Sequence, residues 1–333
     1  MTAPTAPAPA SSPAAATTAS ADPAARTPAA GPPAAVHALH ENPAWWAPFG
    51  AAFAAEGVPV QQWVLTGDEP LDLATAPPEG VFWSRMSASA HTRGHSRSVA
   101  QTRAVLRWLE GHGRRVVNGS AVLELEVSKV AQDAALRAAG VPTPLTVVAF
   151  GPEQVLDAAR TLVSGGVRSV VTKHNQGGKG LGVQRFDDLG DLEQHLASPA
   201  WVEPVDGVAL VQEYVAPAEP FVTRAEFVGG TFLYALAAST SQGFELCPAD
   251  ACGVDGAPLF RLREGHVPPL LEQYEAFLSA TGIEIAGIEY IEAADGRVVT
   301  YDVNTNTNYN PDVEAVAPAS GPREIARFLA SLA

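Results

Sequence analysis

The sequence predicts an α/β protein, and three observations support that class. Strand and helix patterns alternate from Val36 to Asn118, which is typical of a small domain with a parallel sheet. A second alternating unit begins at Gly119 and contains a glycine-rich loop. A third stretch, from Val208 to Asn304, consists mostly of strand patterns. With 333 residues, 47% of them hydrophobic, the chain has enough apolar material for one or two packed cores.

The first segment follows an Ala- and Pro-rich tail. Residues 1–35 contain 15 Ala and 8 Pro and show no hydrophobic period, so we expect a disordered or extended tail there. We expect an N-terminal α/β domain over residues 36–118, with helices identified by apolar positions three and four residues apart. Its predicted elements are a helix over Asn42–Glu56, strands over Gln61–Leu65 and Val81–Ser84, a helix over Ser98–His112 and a strand over Arg115–Asn118.

Residues 119–205 form the second predicted segment. Its predicted elements are helices over Ser128–Ala139, Pro152–Leu162 and Leu189–Leu196, and strands over Thr146–Phe150, Ser169–Lys173 and Val183–Phe186. Gly140 ends the first of these helices, because glycine favours the position just after a helix.

Residues 206–333 form the third predicted segment. Its predicted elements are strands over Ala209–Tyr214, Thr223–Val228, Phe232–Ala237, Glu284–Ile291 and Val298–Asn304, and helices over Leu270–Ala280 and Pro322–Leu332. An Ala-Ala-Asp-Gly turn joins the last two strands into a hairpin.

Charge and cysteine content exclude several classes of function. The formal net charge is −15, which is the wrong sign for a general binder of nucleic acid or of anionic membranes. No apolar run is long enough for a membrane span, and the N-terminus lacks the pattern of a secretory signal. The two cysteines, Cys247 and Cys252, cannot form a disulfide scaffold or a four-ligand zinc site. We expect a cytoplasmic protein in which they are free thiols lining an acceptor pocket.

Lysine is rare in this chain, which has 18 Arg and 3 Lys. Lys129, Lys173 and Lys179 fall within one stretch of 51 residues. The guanidinium group of arginine is a planar fork, whereas lysine carries a compact point charge on a slim stem. The three lysines therefore suggest positions where arginine cannot replace lysine. Chance clustering is the alternative.

A glycine-rich loop, His174-Asn-Gln-Gly-Gly-Lys-Gly-Leu-Gly-Val183, follows a strand that ends at Lys173. Glycines let backbone N–H groups point inward, and such a concavity suits phosphate oxygens. The loop matches neither the Walker A nor the dinucleotide-binding pattern, and it leads into a strand. A flexible hairpin turn is the alternative. The ammonium group of Lys173, at the end of a Val-rich strand, favours a phosphate partner, because an unpaired charge there is costly.

Three oxygen-bearing side chains fall on the C-terminal hairpin. Asp302 and Asn304 are two residues apart on one strand and share a face, while Glu289 lies inside the other strand. If Glu289 shares that face, the three converge into a set that suits Mg²⁺. An exposed polar face is the alternative. The dense amides that follow, Asn306, Asn308 and Asn310, favour a substrate loop.

A polar loop after the strand Val81–Ser84 is the remaining candidate. Arg85 follows the strand end, and strand carboxyl ends face the cleft in open α/β sheets. Together with Arg93 and its neighbours it forms a local cationic patch, which predicts binding of a substrate carboxylate. A solvated loop is the alternative.

Taken in order, these motifs resemble the ATP-grasp superfamily, and within it the RimK-like amino acid ligases. The resemblance covers Gly119–Ala333 and, more loosely, Val36–Asn118. The motifs that match are Lys129 before Val141-Pro-Thr-Pro, Lys173, the loop Gln176–Gly182, Gln212–Val215, Arg224 before Gly229-Gly230, Glu289, and Asp302-Val-Asn304. The resemblance implies an ATP-grasp fold with an N-terminal preATP-grasp-like α/β domain, and ATP bound between two α+β subdomains, residues 119–205 and 206–333.

The resemblance also implies a role for each matching residue. Lys129 and Lys173 would contact the ATP phosphates, and Lys173 would also lie near the adenine. Lys173 and Arg224 would act in catalysis. Arg224 would steady the transferred phosphoryl group, an ordinary salt bridge being its alternative. The residues that would close over the triphosphate are Gln176, Gly177, Gly178, Lys179 and Gly180. The hinge comprises Gln212, Glu213, Tyr214 and Val215 and would bind the adenine edge, with Glu219 at the ribose. Glu289, Asp302 and Asn304 would hold two Mg²⁺ ions, for which Mn²⁺ is a substitute.

The implied activity is an ATP-dependent carboxylate–amine ligase that forms an amide through an acyl phosphate and releases ADP and phosphate. Its implied partners are amino acids or short peptides, with a homodimer as the implied assembly. Two alternatives stay open: a ligase that modifies a peptide or protein, and a regulatory ATP-binding protein without turnover. The chain departs from the family in carrying Asp302 where Glu is commoner, and in lacking a second Arg within 231–241. Its substrates therefore need not be those of its relatives.

Overall fold

The computed structural model describes residues 36–178, 180, 182–240 and 259–333. The predictions for the tail 1–35, for Lys179 and for the two cysteines lie outside the described residues. The described part opens on a parallel sheet with strand order β2-β1-β3-β4, as the alternation of elements predicts. Its elements are β1 (Val36–His40), α1 (Ala47–Ala55), β2 (Val60–Val64), β3 (Val81–Ser84), α2 (Ser98–Gly111) and β4 (Arg115–Val117).

The middle of the chain builds a four-stranded antiparallel sheet with order β5-β8-β6-β7. Its elements are α3 (Ser120–Glu126), α4 (Lys129–Ala138), β5 (Thr146–Ala149), α5 (Pro152–Ser164), β6 (Val170–His174), β7 (Gln184–Phe186), α6 (Leu189–Leu196) and β8 (Ala209–Glu213). Helices α5 and α6 cover one face of this sheet and bury Val155, Leu162 and Leu192 against it. Strand β8 lies beyond the predicted boundary at residues 205/206 but pairs with β5 and β6, so by strand pairing it belongs to this sheet.

The C-terminal part builds a five-stranded antiparallel sheet with order β11-β10-β9-β12-β13. Its elements are β9 (Phe221–Val228), β10 (Thr231–Ser239), β11 (Phe260–Leu262), α7 (Leu271–Thr281), β12 (Ile285–Glu292), β13 (Val298–Asn304), α8 (Pro311–Glu314) and α9 (Gly321–Ser331). Four short elements, β1, α3, β11 and α8, have no counterpart in the predicted order. They are three to seven residues long, too short for a hydrophobic period to identify.

The C-terminal sheet has a hydrophobic core on each face. On one face α7 packs Tyr274 and Phe277 against Phe227 of β9. On the other face the core is shared with the first sheet and with α9, and it includes Phe49, Trp83, Leu236, Ile325 and Leu329. None of the described helices is long and apolar enough to cross a membrane.

Candidate active site

A row of three charged side chains crosses the C-terminal sheet. In the strand register Arg224 of β9 lies opposite Glu289 of β12, which in turn lies opposite Asp302 of β13. Directly paired residues point to the same face of an antiparallel sheet. Asn304 joins the row, because its Nδ2 donates to Glu289 Oε1 over 3.2 Å. The predicted convergence of Glu289, Asp302 and Asn304 is therefore what the structure shows.

Arg224 connects this row to its surroundings. Its Nη1 lies 3.2 Å from Glu289 Oε1, its Nε donates to Glu226 Oε1 over 2.6 Å, and its Nη2 donates to the Thr307 hydroxyl. Burial disfavours a charged guanidinium, but Glu226 and Glu289 outweigh burial and raise the pKa of Arg224. Arg224 therefore keeps its charge at any working pH, in a fixed orientation.

Lys129 and Lys173 flank the carboxylate of Asp302. Lys129 is the first residue of α4, and its Nζ lies 2.6 Å from Asp302 Oδ1. Asn175, just past β6, holds that helix end by accepting from Val130 N over 2.9 Å. Lys173 lies near the end of β6, and its Nζ donates to the Tyr301 carbonyl oxygen over 3.3 Å.

The pKa values of these groups differ in direction. Burial lowers the pKa of Lys173 to about 8, with repulsion by Lys129 as the second cause. Burial also opposes the charged form of Lys129, but attraction by Asp302 prevails and raises its pKa. Burial alone would raise the pKa of Asp302, whereas the two lysines lower it, so Asp302 is a carboxylate. Burial raises the pKa of Glu289, which is 5% exposed.

These groups face a cavity of about 500 Å³ that lies between the middle and C-terminal sheets and extends to the first α/β segment. The middle sheet contributes Val171, Lys173 and Gln212–Val215. The loop between β6 and β7 contributes Gly177, Gly178 and Gly180. That loop lies close to the first segment: Gln176 Nε2 lies 3.4 Å from the Ala88 carbonyl oxygen, and a Cβ atom at position 178 would stand 3.4 Å from Ser89 Cβ.

The predicted adenine-binding residues lie at the cavity with their side chains occupied elsewhere. Gln212 donates to the Thr146 hydroxyl over 2.7 Å, and Glu213 accepts from Leu145 N and from Arg297. Binding along this edge would therefore use main-chain groups, as the resemblance implies. Glu219, the predicted ribose contact, is exposed and is not among the residues that line the cavity.

The predicted substrate residues divide into two groups. Asn306, Asn308 and Asn310 line the cavity. Arg85 and Arg93 do not line it. Arg85 is 2% exposed and donates to Asn308 Oδ1 over 2.8 Å, so it supports the asparagine loop from behind.

Arg93 is held away from the cavity by a buried carboxylate. It forms an ion pair with Glu41, which is 1% exposed and also lies 2.8 Å from His95 Nδ1. Glu41 therefore pairs with part of the predicted cationic patch, Arg93 and His95, within the first segment. The position of Arg93 in the polar loop after β3 gave no sign of its pairing with Glu41.

Sequence reasoning missed four polar residues around the site, which are Tyr301, Thr307, Glu226 and Glu126. Tyr301 donates its hydroxyl to Glu289 Oε2 over 2.9 Å. The Thr307 hydroxyl donates to Glu226 Oε2 over 2.9 Å and lies next to Arg224. Glu126, at the end of α3, accepts from Thr305 N and Oγ1, both at 2.8 Å, and from Ala88 N at 3.3 Å. None of the four lies in a recognisable motif.

The donor set on β12 and β13 suits a hard cation. Glu289, Asp302 and Asn304 offer oxygen ligands only, on one face of a hairpin, in a polar part of the cavity. Within the described ranges there is no group of three or more His, Cys, Asp or Glu placed to hold a metal ion. The set of two carboxylates and an amide leaves positions for waters and substrate phosphates, as Mg²⁺ sites usually do.

Comparison with known proteins supports the fold. Neither a search with protein-family models nor a search of curated proteins found a match. Among solved structures, the RimK domain ATP-grasp protein from Sphaerobacter thermophilus DSM 20745 superposes with a TM-score of 0.60 and 20% identity, covering 88% of this chain and 99% of that one. D-cycloserine synthetase DcsG gives a TM-score of 0.61 and 18% identity, covering 89% and 99%.

A third solved structure is that of the ATP-grasp ligase PsnB complexed with minimal precursor, Mg, and ADP. It gives a TM-score of 0.64 and 15% identity, covering 92% of this chain and 99% of PsnB. In all three cases the likeness spans nearly the whole neighbour and about nine-tenths of this chain. The chain therefore has the ATP-grasp fold.

Proposed function

We propose that this protein is an ATP-dependent ligase that joins a carboxylate to an amine. The observation that carries the proposal is the row Arg224–Glu289–Asp302, flanked by two buried lysines, at a cavity between two sheets. Such a concentration of buried charge is costly to assemble, and a site that binds a charged nucleotide makes use of it.

ATP would lie along the middle sheet. Lys129 and Lys173, which line the cavity, would contact its phosphates, and the glycine loop would cover them. The main chain of Glu213 and Val215 would meet the adenine edge. The structure of PsnB with Mg and ADP supports this assignment by its similarity of fold.

Mg²⁺ ions would be held by Glu289, Asp302 and Asn304, and Mn²⁺ could substitute for them. When bound, the metal would neutralise charge on the phosphates. With ATP present, Lys129 can exchange its contact with Asp302 for one with a phosphate oxygen, since lysine is a flexible point charge. Arg224 would stay in place and contact the phosphoryl group during transfer.

The reaction has two steps. A carboxylate oxygen of the first substrate attacks the γ-phosphorus of ATP, the bond to the β-phosphate oxygen breaks, and ADP leaves with the electron pair. The amine nitrogen of the second substrate then attacks the acyl carbon, the bond to phosphate breaks, and the nitrogen loses a proton. Positioning and charge stabilisation suffice for both steps, so the chain needs no nucleophile of its own.

A ligase that modifies a peptide is the second candidate. The observation that favours it is the similarity to PsnB, whose structure contains a precursor. In that case the same row of residues would activate a side-chain or terminal carboxylate of a peptide.

The proposal is tested by measuring ADP and phosphate release with MgATP across pairs of amino acids and short peptides. We expect release that requires both substrates and falls by at least about 100-fold in Asp302→Asn. Asp157→Asn, whose side chain is 72% exposed on α5, is the matched control and should behave as wild type. ATP binding without release for any pair would instead indicate a regulatory ATP-binding protein.

A further inference from the structure

Tyr301 lies between the two halves of the candidate site. Its hydroxyl donates to Glu289 Oε2 on β12 over 2.9 Å. Its main-chain oxygen accepts from Lys173 Nζ on β6 over 3.3 Å, and the same Nζ lies 5.8 Å from the centre of its ring. Tyr301 also lines the cavity. One residue therefore contacts a carboxylate of the C-terminal sheet and a lysine of the middle sheet.

A bulge in β13 gives Tyr301 this position. In the register of β12 and β13, Asp302 and Thr300 have partners, and Tyr301 lies between them as an extra residue. Thr300 lies on the side of α7, where its Oγ1 is 2.7 Å from the Tyr274 hydroxyl. Tyr301 and Asp302 both line the cavity, whereas in a regular strand two successive side chains point to opposite faces. Bulges are common next to active sites, because they re-aim a side chain.

Three hydrogen-bond donors from the described part of the chain surround the carboxylate of Glu289. Its Oε1 accepts from Arg224 Nη1 and from Asn304 Nδ2, each over 3.2 Å. Its Oε2 accepts from the Tyr301 hydroxyl. A carboxylate has about four lone-pair sites, so one site on Oε2 stays available to a cation. Because Tyr301 donates to that same oxygen, it fixes the direction in which the available site points.

We propose that Tyr301 is a positioning residue of this site. Its hydroxyl holds the carboxylate of Glu289 in the orientation that binds a divalent cation, and its ring and main-chain oxygen hold Lys173 in place to contact phosphates. The inference rests on the proposed function in one respect, since that function assigns the cation to Glu289 and the phosphates to Lys173. It adds a residue that acts through these two.

Substitution can separate the two contacts of Tyr301. Tyr301→Phe removes the hydroxyl but keeps the ring and the main-chain oxygen, so Lys173 keeps both of its contacts with this residue. Hydrogen-bond partners of metal ligands typically contribute about 10- to 100-fold to metal affinity, so we expect Tyr301→Phe to weaken binding of a divalent cation by about 10-fold. Tyr301→Leu removes the ring as well. It should also weaken metal-free nucleotide binding by about 2- to 5-fold, because a cation–π contact is lost.

The test measures ADP binding to the full chain by calorimetry, in EDTA and across a series of Mn²⁺ concentrations. By thermodynamic linkage the series gives the Mn²⁺ affinity of the complex of the chain with ADP, once the Mn²⁺ affinity of free ADP is known. In Tyr301→Phe this Mn²⁺ affinity should fall by about 10-fold, while the ADP affinity in EDTA equals that of wild type. A merely structural defect would lower the ADP affinity in EDTA too.

Tyr274→Phe is the matched control. It removes a buried hydroxyl that contacts Thr300, the residue before the bulge, but Tyr274 is not part of the cavity wall. Its Mn²⁺ affinity should equal that of wild type. An unchanged Mn²⁺ affinity in Tyr301→Phe would overturn the inference, and so would an equal loss in Tyr274→Phe.

The two proposals fail in different ways. A lowered Mn²⁺ affinity in Tyr301→Phe, without phosphate release from any pair of substrates, would refute the ligase activity but leave Tyr301 as a positioning residue of a metal–nucleotide site. Phosphate release that requires Asp302, with an unchanged Mn²⁺ affinity in Tyr301→Phe, would uphold the ligase and refute the role of Tyr301. Absence of ADP binding by wild type would refute both.

Discussion

Gly287 lies directly beneath the guanidinium group of Arg224. A Cβ atom at position 287 would stand 2.5 Å from Arg224 Nε and 2.6 Å from Nη2. Real side chains do not approach so closely, so Arg224 can cross the sheet towards Glu289 and Thr307 only because position 287 has no side chain. The absence of a side chain at Gly287 therefore allows the guanidinium its position across the sheet.

Gly287→Ala should displace Arg224 and lower the turnover number by at least about 10-fold, because small misplacements of a charged group are costly in a preorganised site. The affinity for MgADP should change much less, since the proposed nucleotide position lies along the middle sheet. Phosphate release measured at fixed times gives the turnover number, and nucleotide titration gives the affinity for MgADP, so the two effects are separated. Gly111→Ala on α2, where an added Cβ meets nothing within 4 Å, is the control. A turnover number equal to that of wild type would show that Arg224 tolerates displacement.

Glu126→Gln should destabilise the junction of two loops. One carboxylate accepts hydrogen bonds from Ala88 of the first segment and from Thr305 after β13. An amide would turn an NH₂ group towards one of these donors, which costs about 1–3 kcal/mol. Urea unfolding should report that loss of stability. A separate kinetic assay should show a raised KM for the carboxylate substrate. Glu124→Gln, on the same helix with a half-exposed ion pair to Arg103, should leave both quantities near their wild-type values.

Lys173→Met should weaken MgATP binding by about 10-fold or more, because a charge-assisted contact to a phosphate contributes about 1.5–3 kcal/mol. Methionine retains the length of the buried stem, so the fold should persist. Equilibrium binding of ATP checks the prediction, with Arg168→Met, on the exposed turn before β6, as the control. Undiminished ATP affinity would remove Lys173 from the proposed nucleotide site.

His40 should make the fold sensitive to mild acid. Burial, assisted by Arg85, lowers the pKa of His40 to about 4, below its ordinary value near 6.5. The folded state therefore resists a proton that the unfolded chain accepts, so stability is complete above pH 6.5 and is lost as the pH falls towards 4. The loss amounts to about 3 kcal/mol. In His40→Leu the unfolding free energy should fall less between pH 7 and pH 4.5, whatever its value at neutral pH; an identical fall would assign the effect to other groups.

The order of elements and the motif residues could be predicted because they depend on local patterns. The alternation of Asp302 and Asn304 on one strand correctly predicted that both lie on one face, and the pairing of Glu289 with Asp302 puts Glu289 on that face too. Tyr301 could not be found in this way. The pairing of β12 with β13 shifts after Glu289, so Tyr301 is an extra residue in a bulge and reaches the same carboxylate as its neighbours. A bulge breaks the period-two rule on which the prediction rests.

Long-range pairing explains the other differences. Arg93 looked available because its partner, Glu41, is 52 residues earlier in the chain. Tyr309 looked like an aromatic residue inside an amide-rich loop, and only the folded chain places it against Phe49 and at the cavity wall. No local period carries such information, since it arises when distant segments meet.

The last described helix, α9, shares a hydrophobic core with the first α/β segment. Ile325 and Leu329 of α9 share a core with Phe49 and Phe53 of α1, and Arg323 and Arg327 both pair with Glu56 at the end of α1. During synthesis the aromatic side chains of α1 emerge about 270 residues before their cover. The nascent first segment therefore exposes apolar surface until the C-terminal helix has been synthesised, and such surface is prone to aggregation.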